Sequence, residues 1–270
     1  MWSGFSSEIE TWGFTARFGK RKDRAMEKFA VALELGPKRR VFAQALEWIG
    51  WCRAGKDEAT ALGHLVTAGV RYAQVVERAG FPFVLPSSSE EFEVVERTSG
   101  TATTEFGAPG VLLTSDQEAL EEEDIARLSS LVAACWATFD DALYGIPAGL
   151  HEVKPVRGRS PNAMRLHLLE TDQMHLSAFG PAFQKPDPAH LAEQEATVRE
   201  QILAQLRAVP RRQAIAPRRR YGFLWTPRFA VRRSAWHALD HAWELQDRGY
   251  MNNIATWQKL RLLSGMRTKK

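Results

Sequence analysis

Two histidines, His237 and His241, lie four residues apart in the run Trp236-His237-Ala238-Leu239-Asp240-His241-Ala242-Trp243-Glu244. On a helix this spacing puts both Cβ atoms on one face, about 5–6 Å apart. Two imidazoles so placed can converge on one cation at about 2.0–2.1 Å per metal–nitrogen bond. The pair alone is weak evidence: seven histidines in 270 residues give ~0.2 such pairs by chance. A third ligand is needed. His167 is the best candidate, because it shares a helical face with Met164, Leu168, Thr171, His175 and Ala178, a stripe expected to point inward. A buried imidazole must find a partner, since an unsatisfied buried polar group costs ~1–3 kcal/mol. A metal is one partner; a hydrogen bond to Asp240 or a buried water is another.

The remaining side chains divide between chemical and ordinary roles. Asp240 and Glu244 are candidates to accept a hydrogen bond from a ligand histidine and fix its orientation, or they are plain surface acids, with Asp240 favoured. His175 reads as a histidine near a helix C-terminus, where the dipole favours it. Cys135 reads as a small packed hydrophobe. Cys52 follows two glycine-delimited aromatics and is expected to be exposed. Neither cysteine has a histidine nearby in sequence, and two cysteines are too few for a disulfide scaffold or a cysteine-built zinc site.

Four helices are expected to position the histidines. Ser115-Asp116-Gln117-Glu118 reads as a capping box opening the first. Its apolar stripe runs Ile125, Leu128, Leu131, Val132, Cys135, Trp136, Phe139 and Leu143, and Gly145-Ile146-Pro147 ends it. Ser160-Pro161 opens the second, an N-cap followed by proline at the first helical position. Asp187-Pro188 opens the third by the same device. Thr226-Pro227 opens the fourth, which runs to Gly249. Helices of this length with such connectors favour a bundle.

The first third reads differently. Phe29–Leu35 and Val41–Trp48 are short apolar runs around a Gly36-Pro37 turn and predict two strands. Asp57 then caps a helix whose stripe is Ala61, Leu65, Ala68, Tyr72, Val75 and Val76, with Gly80 as its stop. Phe92–Val95 adds a strand, and Thr98–Gly110 reads as a linker. Residues 1–25 form a basic extension, with Met26 an alternative start. Residues 250–270 form a tail.

Composition bounds these readings. Hydrophobic residues make up 44% and charged residues 25% of the chain, the balance of an ordinary globular protein. No run approaches the ~18 apolar residues of a membrane span. The first fourteen residues do not read as a secretory signal. Net charge is only +4, yet Gln201–Arg233 holds nine arginines and no acid. Arg218, Arg219 and Arg220 are the candidates for binding an anion, because arginine forks suit carboxylates.

Two resemblances sharpen this reading. Residues 28–80, and Gly55-Lys56-Asp57-Glu58-Ala59-Thr60-Ala61-Leu62 in particular, resemble the HicB-like domain, which implies a binding or scaffolding module. Residues 115–249 resemble the DinB superfamily, on Leu166-His167-Leu168-Leu169-Glu170 and on Ala235-Trp236-His237-Ala238-Leu239-Asp240-His241-Ala242-Trp243-Glu244. That resemblance implies a four-helix bundle with a divalent metal held by His167, His237 and His241. It also implies a thiol-dependent S-transferase or isomerase using a low-molecular-weight thiol.

The expected class is therefore α+β. A HicB-like β-β-α domain (26–100) precedes a DinB-like four-helix bundle (111–249). Zinc or nickel is the expected metal, and a small-molecule substrate or thiol the expected partner. A homodimer is left open, nucleic acid is disfavoured, no membrane is expected, and the cytoplasm is the expected location. The competing readings are a non-catalytic bundle with a structural metal and a HicB-like regulator binding nucleic acid or protein.

Overall fold

The computed structural model describes residues 28–155, 158–220 and 222–248. The expected extension, the start at Met26, the stop at Gly249 and the tail 250–270 lie outside them. The described chain is mixed α+β. Its N-terminal part holds strands β1 (Phe29–Leu35), β2 (Val41–Ala45) and β3 (Cys52–Gly55), helix α1 (Glu58–Arg78) and strand β4 (Phe92–Ser99). The short helix α2 (Ala102–Phe106) follows. Helices α3 (Glu122–Tyr144), α4 (Pro161–Leu176) and α5 (Leu191–Arg207) come next, then the hairpin β5 (Arg218–Arg220) and β6 (Phe223–Trp225), and finally α6 (Pro227–Asp247).

The four-stranded sheet has the order β3-β2-β1-β4. β1 and β2, and β2 and β3, are antiparallel, while α1 carries the chain across so that β4 runs parallel to β1. Asp57 caps α1 by accepting the Thr60 amide at 2.7 Å. The expected α1 stripe is buried in full. It packs on one sheet face with Val31, Leu33 and Trp51, and the Trp51 indole donates to the Leu65 carbonyl at 2.9 Å.

Burial of β1 and β2 does not alternate, because the second sheet face is covered as well. Its cover is α6. Phe42 and Cys52 pack on Trp236, Gln44 meets Arg232, and Arg53 lies 3.9 Å over the Trp243 ring. Residues 232, 236 and 243 form one stripe of α6, so the sheet lies along the helix. One hydrophobic cluster runs from Val31 through α3, α4 and α5 to Leu245.

Several expectations are corrected. The run Ser115–Glu118 opens no long helix: Thr114–Gln117 is a 3-10 turn, and α3 starts at Glu122. Asp116 is instead a buried acid, accepting the Leu113 amide at 2.8 Å and pairing with Arg232. Thr98–Gly110 is no linker, since β4 runs to Ser99 and α2 occupies its middle. This segment is held by Glu34, which is fully buried and accepts from Thr104 Oγ1 (2.5 Å) and the Gly110 (2.8 Å) and Val111 (3.2 Å) amides. Cys52 is buried against Trp236, since the glycine-flanked run before it turns inward to start β3.

Candidate metal centre

Helices α4 and α6 cross so that three histidines meet. Ser160 accepts the Ala163 amide at 3.3 Å and Pro161 opens α4. Thr226 accepts the Phe229 amide at 3.1 Å and Pro227 opens α6. Each helix is thereby started at a fixed residue, which sets the rotation of every side chain beyond it. The phenylalanine and tryptophan around Thr226 hold that start in place: Trp225 stacks on Phe229 with ring centroids 5.0 Å apart. From Phe229 to Trp243 all residues of α6 but Asp240 are buried, so this helix is surrounded.

One ligand atom from each of His167, His237 and His241 lies within 4.8 Å of the others. The three histidines therefore sit close enough to hold one metal ion. Ring centroids are 4.8 Å apart for His167 and His237, 5.5 Å for His167 and His241, and 4.7 Å for His237 and His241. Tetrahedral nitrogens at metal–nitrogen distances of 2.0–2.1 Å sit about 3.4 Å apart. The rings must draw together slightly to reach that spacing, and His167 is the one of the three that is only partly buried.

The donors fit a cation on a second ground. His237 Nδ1 and His241 Nε2 are buried with no hydrogen-bond partner among the described residues. Orphaned buried nitrogens of this kind each cost ~1–3 kcal/mol, a cost that a cation bound through them would remove. Protonation is disfavoured too. Burial, with the charges of Arg159 and His241, lowers the His167 pKa to about 4. Burial, with the neighbouring histidines and Arg233, holds His237 well below its usual value. Both rings are therefore neutral near pH 7, the form that binds metal.

The expected acceptors separate. Glu244 Oε2 lies 2.8 Å from His241 Nδ1, and its Oε1 accepts from Arg248. The His241 hydrogen bond, opposed by burial, holds Glu244 below the usual carboxylate range. With Nδ1 engaged, Nε2 is the free ligand atom of His241. Asp240 instead faces Arg53 at 3.6 Å, because it sits one position off the histidine stripe. A cleft of roughly 700 Å³ between α1 and α6 is lined by Arg53, Arg71, Asp240, Trp243, Glu244 and Arg248, and so shares the Glu244–Arg248 pair with the metal centre.

The other candidates lie elsewhere. Arg218, Arg219 and Arg220 are exposed on β5, just before α6 begins. His237 lies ten residues beyond Pro227, about 15 Å along the helix. His175 is in the last turn of α4 but fully buried, so its ring is kept neutral and the dipole reading fails. It lies 3.9 Å from the buried Asp172. No motif marks Arg159, whose charge reaches His167 from the loop before α4. Comparison with family models, with curated proteins and with solved structures finds no match to this chain.

Proposed function

We propose that this protein is a divalent-metal-binding member of the DinB superfamily that acts as a thiol S-transferase or isomerase on a small molecule. The observation that carries the reading is the three-histidine cluster, with two buried unpaired nitrogens and one side open at His167. Structural zinc sites close with four protein ligands, whereas catalytic ones present three and keep a position open. Among the described residues only three ligands converge here, which favours catalysis over a structural metal. Imidazole ligands suit zinc and nickel. The resemblance of residues 115–249 to the DinB superfamily supports the assignment, and that of residues 28–80 to the HicB-like domain supports a scaffolding part for the sheet.

A bound divalent cation supplies a positive charge that favours the thiolate, the nucleophilic form of a thiol. The rest falls to the chain. Burial keeps His167 and His237 neutral and ready to ligate. Glu244 accepts a hydrogen bond from His241 Nδ1–H, which leaves Nε2 as the nitrogen available to a metal. Trp236 stacks beside His237, with ring centroids 5.7 Å apart.

Elemental analysis of chelator-treated and metal-reconstituted protein tests the reading. About one divalent ion per chain is expected, with loss of the ion in folded His237→Ala. Thiol transfer to an electrophile should disappear in the same variant. An ion retained by His237→Ala would defeat the metal centre, and full transfer activity without metal would defeat the mechanism.

A further inference from the structure

We propose that the β5–β6 hairpin is a docking surface for an anionic phospholipid bilayer, held by the arginines of β5 and by shallow insertion of Phe223 and Leu224. The proposal stands apart from the metal centre. No described helix is long and apolar enough to cross a membrane, so the contact is peripheral.

Register fixes what each face of the ribbon carries. Arg218 lies opposite Trp225, Arg219 opposite Leu224 and Arg220 opposite Phe223. Opposed residues share a face, and successive residues alternate between faces. One face therefore carries Arg218, Arg220, Phe223 and Trp225, and the other Arg219 and Leu224. At the inner end Trp225 is buried in a cluster with Phe179 and Phe229, which ties the ribbon to the end of α4 and the start of α6. Farther out, Phe223 and Leu224 are 41% and 38% exposed although they point to opposite faces. The outer end of the ribbon thus stands clear of the body, and each of its faces sets an arginine across from an exposed apolar side chain.

Charge and surroundings name the partner. Arg211, Arg212 and Arg232, from the same acid-free segment, are paired with Glu122, Glu121 and Asp116. Arg218 and Arg219 are exposed and form no ion pair among the described residues; Arg219 Nη1 donates to the Gly222 carbonyl at 3.4 Å. The apolar surface extends past the hairpin, since Met174 and Phe183 are exposed as well. Met174 precedes His175, whose ring lies 4.9 Å from Trp225, and Phe183 follows the Phe179 of the Trp225 cluster. Exposed apolar groups rimmed by charge mark interaction sites. A nucleic acid would engage the arginines but leave Leu224 and Met174 in water, because side chains without a ring offer bases no stacking plane. A bilayer interface takes both groups. Its phosphates and carboxylates meet the guanidinium groups, and its headgroup–acyl boundary encloses apolar side chains on both faces of the tip.

Co-sedimentation of the full-length protein with vesicles provides the test, using phosphatidylcholine with and without phosphatidylserine. Wild type should bind the anionic vesicles, weaken as salt is raised, and bind the neutral ones poorly. Joint replacement Arg218→Gln and Arg219→Gln should weaken anionic binding about 25-fold, or about 5-fold per charge. Phe223→Ser with Leu224→Ser should weaken it about 10-fold at unchanged net charge. Lys154→Gln with Arg159→Gln removes as much charge from the loop at the far end of α4 and should match wild type. Absence of binding to anionic vesicles, or an equal loss in this control, overturns the docking surface. So does a loss confined to the arginine pair, which would make the hairpin a site for a soluble polyanion such as RNA. Chelator-treated protein should bind vesicles like wild type, so the result stands or falls separately from the metal centre.

Discussion

Glu244 and His241 are joined by a 2.8 Å hydrogen bond across one helical turn, from carboxylate Oε2 to ring Nδ1. The bond fixes the tautomer of His241, and Arg248 on the other oxygen fixes the carboxylate. Acceptors of this kind raise ligand basicity as well as orienting the ring. Glu244→Ala is therefore expected to weaken metal affinity about 10- to 100-fold, read by competition with a coloured chelator. Asp240→Asn, whose carboxylate faces Arg53, should stay close to wild type. The reverse ranking would return the orienting role to Asp240.

Acid should destabilise the metal-free protein through its histidines. Burial lowers the pKa of His167 to about 4 and that of His175 and His237 well below the usual value. In the unfolded chain the same rings titrate near pH 6.5. Between those values the unfolded state binds more protons, so stability rises with pH. This contribution is complete above pH ~6.5 and drains away as the pH falls toward 4. Asp172 works in the opposite sense. Burial raises its pKa to about 6, so the folded state holds the extra proton between the unfolded value and 6, and stability falls as pH rises there. Chelator-treated wild type should gain Tm from pH 5 to 7. His175→Leu should flatten that rise, and Asp172→Asn should steepen it. Parallel curves for all three proteins would show that these groups do not set the acid limit.

The sequence carried the helices that bear the ligands, because serine or threonine followed by proline is a local start signal that needs no tertiary help. Spacing then put His237 beside His241, and the inward stripe of α4 put His167 opposite. Asp116 was misread for a physical reason. A Ser-x-x-Glu pattern states only what a local cap could do, whereas the Arg232 partner of Asp116 lies 116 residues away. The same holds for Glu34, whose donors come from residues 44 to 111 and turn an apparent linker into part of the core. Choosing between Asp240 and Glu244 needed the orientation of α6 against the sheet, which no local pattern contains. Arg159 stood outside every charge run, so nothing in the sequence marked it.

The Asp116–Arg232 pair should be costly to break. Arg232 Nε and Nη2 reach the two carboxylate oxygens at 3.0 and 2.6 Å, and both side chains are buried. Arg232 also donates to Gln44 and to the Val111 carbonyl, so it ties the sheet and the segment before α3 to α6. Removing one partner strands a buried charge, at a cost of about 3–5 kcal/mol. Asp116→Ala should lower urea stability by that amount. The double variant Asp116→Leu, Arg232→Met should recover much of the loss, since replacing both charges leaves none unpaired. A double variant as unstable as the single would mean that the guanidinium's links to Gln44 and Val111 outweigh the ion pair.

Gly50 packs closely against helices α3 and α6. Its φ is +89°, a region in which a Cβ is strained. A Cβ there would also lie 2.9 Å from Leu239 Cδ1 and 3.0 Å from Cys135 Sγ. Neither side chain can yield freely, as Leu239 and Cys135 are both fully buried in the shared core. Gly50→Ala thus combines backbone strain of about 1–3 kcal/mol with overpacking of about 1–3 kcal/mol. Leu239 lies between His237 and His241, so the strain is pressed onto the helix segment that holds both ligands. The variant should lose stability in urea and bind metal more weakly, whereas Gly80→Ala, also at positive φ (+82°) but with open space around it, should lose stability alone. Equal metal affinity in the two variants would show that packing against the sheet does not help to set the position of α6.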